Sequence, residues 1–112
     1  MPGTRRNKFG VAPREARTAA DGTVFDSKAE LARWEQLQMI QRDGQIANLQ
    51  RQYPVRLEVN GILIARMRID FHYERAGRPV FEDVKGMVTP DWKLKAKLFR
   101  AIYGRDIEIV KA

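Results

Sequence analysis

The sequence predicts an α/β protein of the α+β type, whose elements follow one another in the order αβββαβ. Two stretches repeat apolar residues at the helical period, and the remaining stretches show strand signals. A chain of 112 residues has room for one domain, and 44% hydrophobic residues are enough to form a modest core. We therefore predict a single domain over residues 21–112, preceded by a mobile basic arm over residues 1–20.

The first helix is predicted over about residues 28–43. Ser27 is a good N-cap, Glu30 occupies the third helical position, and Gly44 is a natural stop. The apolar stripe of this helix consists of Leu31, Trp34, Leu37 and Ile40. Its spacing predicts that one helical face packs on the core of the domain.

The first two strands are predicted over about residues 46–59 and 62–74. Asn60-Gly61 between them is a strong hairpin signal, because both turn positions need a positive φ. Alternation predicts one apolar row on each strand: Leu49, Tyr53, Val55, Leu57 and Val59, then Leu63, Ala65, Met67, Ile69, Phe71 and Tyr73. The other face of the second strand carries Arg66, Arg68, Asp70 and His72.

The last three elements follow a turn at residues 76–79. A short third strand is predicted over residues 80–85. Thr89-Pro90-Asp91 then predicts the start of a second helix, with a Thr cap, Pro at the first position and an acid in the first turn. This helix runs to about Tyr103, and residues 106–110 form the final strand.

The composition limits the chemistry that this protein can use. The chain has no cysteine and one histidine, which excludes a disulfide scaffold, a zinc ribbon, a thiol nucleophile and a multi-histidine metal site. It has no apolar run of about 18 residues and no signal-like N-terminus, so we expect a cytoplasmic protein without a membrane partner. Any metal chemistry would have to use carboxylates.

The net charge of +7 is concentrated in two clusters. Residues 1–17 carry +4 and residues 85–105 carry +5, whereas residues 18–84 between them carry −1. Such clusters are typical of a protein that binds a polyanion, and the alternative is a solvated surface that aids solubility. The candidate phosphate contacts are Arg5, Arg6, Lys8, Arg66, Arg68, Lys93, Lys97 and Arg100.

Asp70, Asp83 and Lys85 form the main candidate site. Asp83 and Lys85 are two residues apart on one strand, so their side chains leave the same face, whereas that of Glu82 leaves the other. The hairpin between the second and third strands brings Asp70 near Asp83. Converging carboxylates suit Mg²⁺ or Mn²⁺, and a lysine beside the metal can act on an attacking water. The sequence thus indicates phosphodiester hydrolysis, with an ordinary salt bridge between strands as the alternative.

Glu30 is the fourth candidate. It lies on the helix face of Trp34 and Leu37, so its carboxylate points towards the body of the protein, where an unpaired charge is costly. Ser27-x-x-Glu30 also fits a capping box, in which Glu30 only caps the helix. Metal binding and capping both stay open at this point.

These residues resemble the PD-(D/E)xK nuclease superfamily. The match consists of Glu30 in FDSKAE, Asp70 in RIDF, and Asp83-Val84-Lys85-Gly86. The chain also resembles a small phage-encoded endonuclease family described as a domain of unknown function, over roughly residues 23–110. Arg68-Ile69 stands where the superfamily has the proline of its name.

The resemblance implies a restriction-endonuclease-like core, in which a mixed sheet is flanked by helices. It implies Mg²⁺-dependent cleavage of DNA, with Mn²⁺ as a substitute, with Asp70, Asp83 and Glu30 binding the metal and Lys85 acting on the water. Similarity to Holliday junction resolvases implies a structure-specific enzyme of phage origin, in the host cytoplasm, with a role in DNA recombination. Symmetric cleavage of a branched junction needs two active sites, so this subtype is expected to be a homodimer.

Other functions are compatible with the same residues. One is a nuclease that acts on ends, nicks or mismatches. Another is a non-catalytic DNA- or RNA-binding protein of this fold, in which Asp70 and Asp83 are structural. A third is a small basic protein that binds an acidic partner. The role of His72 is open between a phosphate contact and an ordinary surface residue.

Overall fold

The computed structural model describes residues 11–112, and its element bounds lie close to the predicted ones. The helices are α1 (Lys28–Arg42) and α2 (Pro90–Tyr103), and the strands are β1 (Ile46–Val59), β2 (Ile62–Arg75), β3 (Arg78–Lys85) and β4 (Glu108–Lys111). The predicted αβββαβ order is confirmed. Within the described part of the chain, neither helix is long and apolar enough to cross a membrane.

The four strands form one mixed sheet in the order β1-β2-β3-β4. β1 pairs with β2 and β2 with β3 in antiparallel fashion, whereas β3 and β4 run parallel. A parallel pair needs a crossover connection, and α2 supplies it between β3 and β4. The predicted α+β class, with a mixed sheet and two helices, is therefore confirmed.

Side chains cap both helices at the predicted residues. The Ser27 hydroxyl accepts a hydrogen bond from the Glu30 N–H at 3.0 Å, and the Thr89 hydroxyl accepts one from the Trp92 N–H at 3.1 Å. α2 ends at Gly104, whose φ of 70° is the left-handed conformation that glycine adopts without strain. The caps hold Glu30 and Trp92 in the first turns of their helices.

The two helices cover opposite faces of the sheet. α1 packs on a core cluster of Leu37, Ile46, Phe71, Tyr73 and Val80. α2 packs on a second cluster of Val55, Leu57, Ile69, Phe99 and Ile107. The consecutive β3 residues Val80 and Phe81 contact different clusters, as expected for neighbours on a strand.

The apolar row of β2 does not stay on one face, so that prediction was wrong. Ile69 packs in the α2 cluster, whereas Phe71, only two residues further on, packs in the α1 cluster. Between them lies Asp70, where β2 leaves its ladder with β3. Opposite, on β1, Gln52 has a φ of 54°. This irregularity interrupts the pleat, which an unbroken alternation in the sequence does not reveal.

Residues 53–69 form a two-stranded extension of the sheet, which we call the outer ribbon. β3 pairs with β2 only from Phe71 to Arg75, so within the described residues these segments pair only with each other. One face of the outer ribbon is covered by α2, through buried Val55, Leu57 and Ile69. The opposite face is exposed and carries Pro54, Arg56, Arg66 and Arg68.

The segment before α1 falls partly inside the predicted arm. Arg14–Arg17 form a 3-10 turn, and Arg17 donates hydrogen bonds to the carbonyls of Ala12 and Phe25. Thr18 pairs with Val24 in a single β-bridge. The predicted boundary between residues 20 and 21 thus lies within a hydrogen-bonded loop, and residues 1–10 lie outside the described residues.

Candidate active site

A concavity of about 550 Å³ lies beside the N-terminus of α1, against β2 and β3. Its charged lining residues are Asp26, Lys28, Glu30, Asp70 and Lys85. Three of the four residues predicted to be catalytic thus converge there: Glu30 from α1, Asp70 from β2 and Lys85 from β3. We call this space the site concavity.

At Asp70 the backbone ladder between β2 and β3 stops, and hydrogen bonds to the side chains of Asp70 and Asp83 connect the two strands instead. Oδ2 of Asp70 accepts the backbone N–H of Val84 at 2.9 Å, and the backbone N–H of Asp70 donates to Oδ1 of Asp83 at 2.8 Å. Among the described residues, Oδ1 of Asp70 accepts no hydrogen bond. The two predicted carboxylates are therefore adjacent, and the interrupted pleat of β2 aims Asp70 at the site concavity.

Asp83 lies behind Asp70 and does not line the site concavity. It is 1% exposed, and both of its oxygens accept hydrogen bonds, Oδ1 from the Asp70 backbone and Oδ2 from the indole N–H of Trp92 at 2.7 Å. In this arrangement Asp83 holds Asp70 in place. Metal binding by Asp83 itself stays a prediction, because it requires one of these donors to be released.

Glu30 has the first half of a capping box, but its carboxylate faces the body of the protein. Its backbone N–H donates to Ser27, while Oε2 accepts a hydrogen bond from the side-chain amide of Gln52 at 3.0 Å. The guanidinium of Arg51 lies 3.8 Å from the same oxygen. The residue is only 4% exposed. Ser27 thus caps the Glu30 backbone N–H, while the Glu30 carboxylate, which would complete the capping box, enters the site concavity instead.

The carboxylates of the site concavity are hard to ionise together. Burial raises the pKa of Glu30 to about 7, and the negative charges of Asp70 and Asp26 act in the same direction. Burial also raises the pKa of Asp70 to about 6, although the Val84 N–H opposes the effect, and the charge of Asp83 adds to it. A bound cation relieves such repulsion between neighbouring carboxylates.

Lys85 brings a positive charge to the same space. Its side chain is half-buried, and Nζ lies 5.6 Å from the centre of the Trp92 ring. The indole thus contacts both members of the Asp83-x-Lys85 pair, one through its N–H and the other through its face. No spacing in the sequence indicates the contact of Trp92 with Asp83.

The donor atoms of the site concavity fit Mg²⁺. In the described part of the chain, no three acidic or histidine side chains are grouped closely enough to share one ion. Glu30 and Asp70 each bring one carboxylate to the lining of the site concavity. Two suffice for Mg²⁺, which usually takes one or two carboxylates and completes its shell with water and substrate phosphate. Manganese accepts the same oxygen ligands.

Glu82, the acid next to Asp83, lies on the other face of the sheet as predicted. The guanidinium of Arg33 donates two hydrogen bonds to the Glu82 carboxylate, the shorter of them at 2.7 Å. The Tyr73 hydroxyl donates a further hydrogen bond at 2.6 Å. Glu82 is 1% exposed. These partners join α1 to the sheet and account for the buried charge.

His72 points away from the site concavity. Its ring stacks on Phe81 with the centroids 4.4 Å apart, and Nδ1 donates to the Val80 carbonyl at 2.9 Å. Tyr53 covers its other side at 4.5 Å. The contacts are those of an aromatic cluster on the α2 face of the sheet.

The predicted phosphate-binding residues occupy two separate surfaces. Arg66 and Arg68 lie on the exposed face of the outer ribbon. Lys93, Lys97 and Arg100 line a hollow between α2 and β4, on the opposite side of the sheet, where Arg100 forms an ion pair with Asp106 at 2.6 Å. Arg5, Arg6 and Lys8 lie outside the described residues.

A family model described as "Protein of unknown function (DUF1064)" matches residues 14–111. The chain belongs to the DUF1064 family. The matched range contains every helix and strand that the structure describes in this DUF1064 protein, together with Glu30, Asp70, Asp83 and Lys85. No curated protein and no solved structure matches the chain.

Three further residues contribute to the DUF1064 site that the sequence does not predict. Gln52 donates to Glu30, Arg51 lies between Glu30 and the Phe25 ring, and Asp26 lines the site concavity. Gln52 stands in the polar row of β1, but that row also contains Gln50, Arg56 and Glu58. Only the positive φ of Gln52, a property of the folded chain, turns its amide towards Glu30.

Proposed function

We propose that this protein is a Mg²⁺-dependent endonuclease that hydrolyses phosphodiester bonds in DNA. One observation carries the proposal: Glu30, Asp70 and Lys85, from three different elements, line a single concavity. A buried and a half-buried carboxylate with raised pKa values, Glu30 and Asp70, and an adjacent lysine are residue types that metal-assisted hydrolysis uses.

The resemblance to the PD-(D/E)xK superfamily supports the same reaction. The chain has a helix glutamate, a strand aspartate, and an Asp-x-Lys on the next strand, in the order of that superfamily. A mixed four-stranded sheet with one helix on each face is compatible with it. Family membership alone supports no activity, because the family is described as being of unknown function.

Each residue has a role that follows from its contacts. Glu30 and Asp70 would hold the ion, which when bound supplies a Lewis acid for a phosphoryl oxygen and lowers the pKa of a bound water. Lys85 carries the positive charge of the site, orients the attacking water and stabilises the negative charge that develops on the phosphate. Asp83 fixes the backbone of Asp70 through its 2.8 Å hydrogen bond.

The reaction adds one water across one phosphodiester bond. The oxygen of the water bonds to phosphorus as the bond to one ester oxygen breaks, the water loses a proton, and the departing oxygen gains one. Preference for branched DNA and action as a homodimer belong to the same proposal. They rest on the similarity to junction-resolving enzymes and on the symmetry that two matched cuts require.

Cleavage of labelled DNA tests the proposal. Wild-type protein is incubated with four-way junctions and linear duplexes, in Mg²⁺ and in EDTA, beside Lys85→Ala and the control Lys95→Ala, which lies on α2 outside the site concavity. We expect cleavage only with Mg²⁺, a loss of at least about 100-fold in Lys85→Ala, and wild-type rates in Lys95→Ala. DNA binding should survive in Lys85→Ala.

A non-catalytic DNA-binding protein is the second candidate. Both oxygens of Asp83 are already occupied by N–H donors, which is what a structural role for this residue requires. That function predicts DNA binding without cleavage and no effect of EDTA. Full cleavage by Lys85→Ala would instead show that the site is assigned to the wrong residues. Preference for ends or nicks over junctions would favour the other nuclease alternative.

A further inference from the structure

Three arginines share the exposed face of the outer ribbon. Arg56 lies directly opposite Arg66 in the ladder, and Arg68 lies opposite Pro54. Like charges at opposed positions destabilise a sheet, and only Arg56 has a close counter-charge, Glu58 at 2.7 Å. Within the described residues, neither Arg66 nor Arg68 forms an ion pair. The face therefore offers unbalanced positive charge to an external anion.

This arginine row leads to the site concavity. Arg66 and Arg68 are alternate residues of β2 on the exposed side of the ribbon, with Ala65, Met67 and Ile69 packed towards α2 on the other. Asp70, the next alternate residue, follows the ribbon and lines the site concavity. Successive members are separated by roughly 6.7 Å along the strand. The basic stripe of α2 lies on the opposite side of the sheet. Along β2 the ribbon arginines are followed directly by Asp70, whereas the α2 stripe approaches the site concavity through Trp92, which lines its hollow and contacts Lys85.

The tip of the ribbon is apolar beyond the arginines. Ile62 and Ile64 lie at the start of β2, just after the Asn60-Gly61 turn. These two residues are 64% and 56% exposed. The β1–β2 ladder is irregular at this point, between Leu57 and Glu58. Aliphatic side chains are among those that DNA-binding proteins insert between base steps, which partly unstacks the bases.

We propose that the outer ribbon is the duplex-binding element of this protein, with its arginines on backbone phosphates and Ile62 and Ile64 against the bases at a branch. The proposal rests on the nuclease function proposed above and names the surface that delivers DNA to that site. A two-stranded ribbon has the dimensions that the major groove of DNA admits. Arginine contacts to phosphates supply affinity without sequence preference.

A second copy of the chain is the alternative to DNA as the partner that binds this face. Two ribbons packed through this face would bring the guanidinium groups of both copies together, which like-charge repulsion opposes. A polyanion neutralises the same groups. Charge complementarity therefore favours DNA.

Salt-dependent binding in EDTA tests the arginines without any need for cleavage. Arg66→Ala/Arg68→Ala is compared with Arg42→Ala/Arg78→Ala, a pair of exposed arginines at the opposite end of the β1–β2 hairpin that removes the same charge. We expect the slope of log K against log salt to fall by about 2 in the ribbon variant. The control should keep a wild-type slope, and Arg66→Lys/Arg68→Lys should recover most of the ribbon loss. Equal slopes in the Ala ribbon variant and the control overturn the proposal.

Labelling at the tip gives a second readout that does not depend on variant stability. The chain has no cysteine, so Ile64→Cys and Glu35→Cys, on exposed α1, each accept a single fluorophore. We expect a four-way junction to change the emission at residue 64 and leave that at residue 35 unchanged. No change at residue 64, or a change that follows protein concentration without DNA and marks contact between copies, overturns the proposal.

The outcomes separate this proposal from the proposed activity. Ribbon-dependent binding without cleavage in Mg²⁺ retains the ribbon and overturns the nuclease. Cleavage with equal binding by both arginine pairs overturns the ribbon and retains the nuclease. If Lys93→Ala/Lys97→Ala loses the salt slope and the ribbon variant does not, the α2 surface binds DNA instead.

Discussion

Trp92 donates its indole N–H to Oδ2 of Asp83 at 2.7 Å, and the other oxygen of Asp83 accepts the backbone N–H of Asp70. This chain of contacts links α2 to the carboxylate that faces the site concavity. Because Asp83 is 1% exposed, water cannot replace a lost donor there. Trp92 is therefore expected to act on the site through Asp83 rather than by touching a substrate.

Trp92→Phe keeps an aromatic ring but removes that N–H. We expect a loss of about 1–3 kcal/mol in the free energy of unfolding, since a buried carboxylate oxygen is left without its partner. Weaker Mg²⁺ binding should accompany it, as Asp70 is less firmly held. The matched control is Trp34→Phe, on the α1 face, whose ring stacks near Phe71. Urea unfolding and titration calorimetry give both quantities, and equal effects in the two variants would contradict this role.

The buried carboxyl of Glu30 predicts a pH-dependent stability in metal-free protein. Its pKa is about 7 in the folded state against an ordinary 4.5, so the folded state binds the proton more tightly. The contribution of this carboxyl group to the free energy of unfolding is complete below pH 4.5 and is lost as pH rises through 7. Glu30→Gln should remove this loss and become the more stable form at pH 8, by on the order of 2 kcal/mol. Urea unfolding from pH 5 to pH 8 measures the difference, and parallel curves for the two proteins would count against it.

Magnesium should reverse that loss of stability at high pH. Glu30 and Asp70 must both be deprotonated to bind the ion, and their pKa values of about 7 and about 6 place that change between pH 5 and pH 8. A ligand at 100 times its Kd stabilises a protein by about 2.7 kcal/mol. We therefore expect Mg²⁺ to raise Tm more at pH 8 than at pH 5.5. The gain should vanish in Asp70→Asn, and a gain that persists there would place the ion elsewhere.

The ion pair between Arg33 and Glu82 should be critical for folding. Glu82 is 1% exposed, and Arg33→Met would leave its charge with the Tyr73 hydroxyl as the remaining hydrogen-bond donor. Breaking a buried pair on one side costs about 3–5 kcal/mol. The matched change Arg75→Met breaks the exposed pair with Glu108 and should cost under about 1 kcal/mol. Thermal and urea unfolding compare the two, and similar losses would show that Glu82 gains little from Arg33.

The irregular centre of β2 explains what sequence periodicity could not predict. Alternation from Leu63 to Tyr73 is unbroken in the sequence, yet the row passes from the α2 cluster to the α1 cluster at Asp70. A period of two records only parity and carries no information on a local break in the pleat. The positive φ of Gln52 is equally invisible, because glutamine is not a residue that favours that conformation.

The sequence by itself determined the elements, their order and the residues with the right chemistry. Local rules were enough for this, since a Ser or Thr cap, an Asn-Gly turn and an apolar period act over a few residues. Only the tertiary structure decided how those residues are used. Asp83, predicted beside Asp70, lies behind it with both oxygens occupied, while Glu30 meets Asp70 in the site concavity. The physical reason is that burial and hydrogen-bond partners belong to pairs of residues distant in the chain, and only the packing of α1 and α2 on opposite faces of the sheet brings those pairs together.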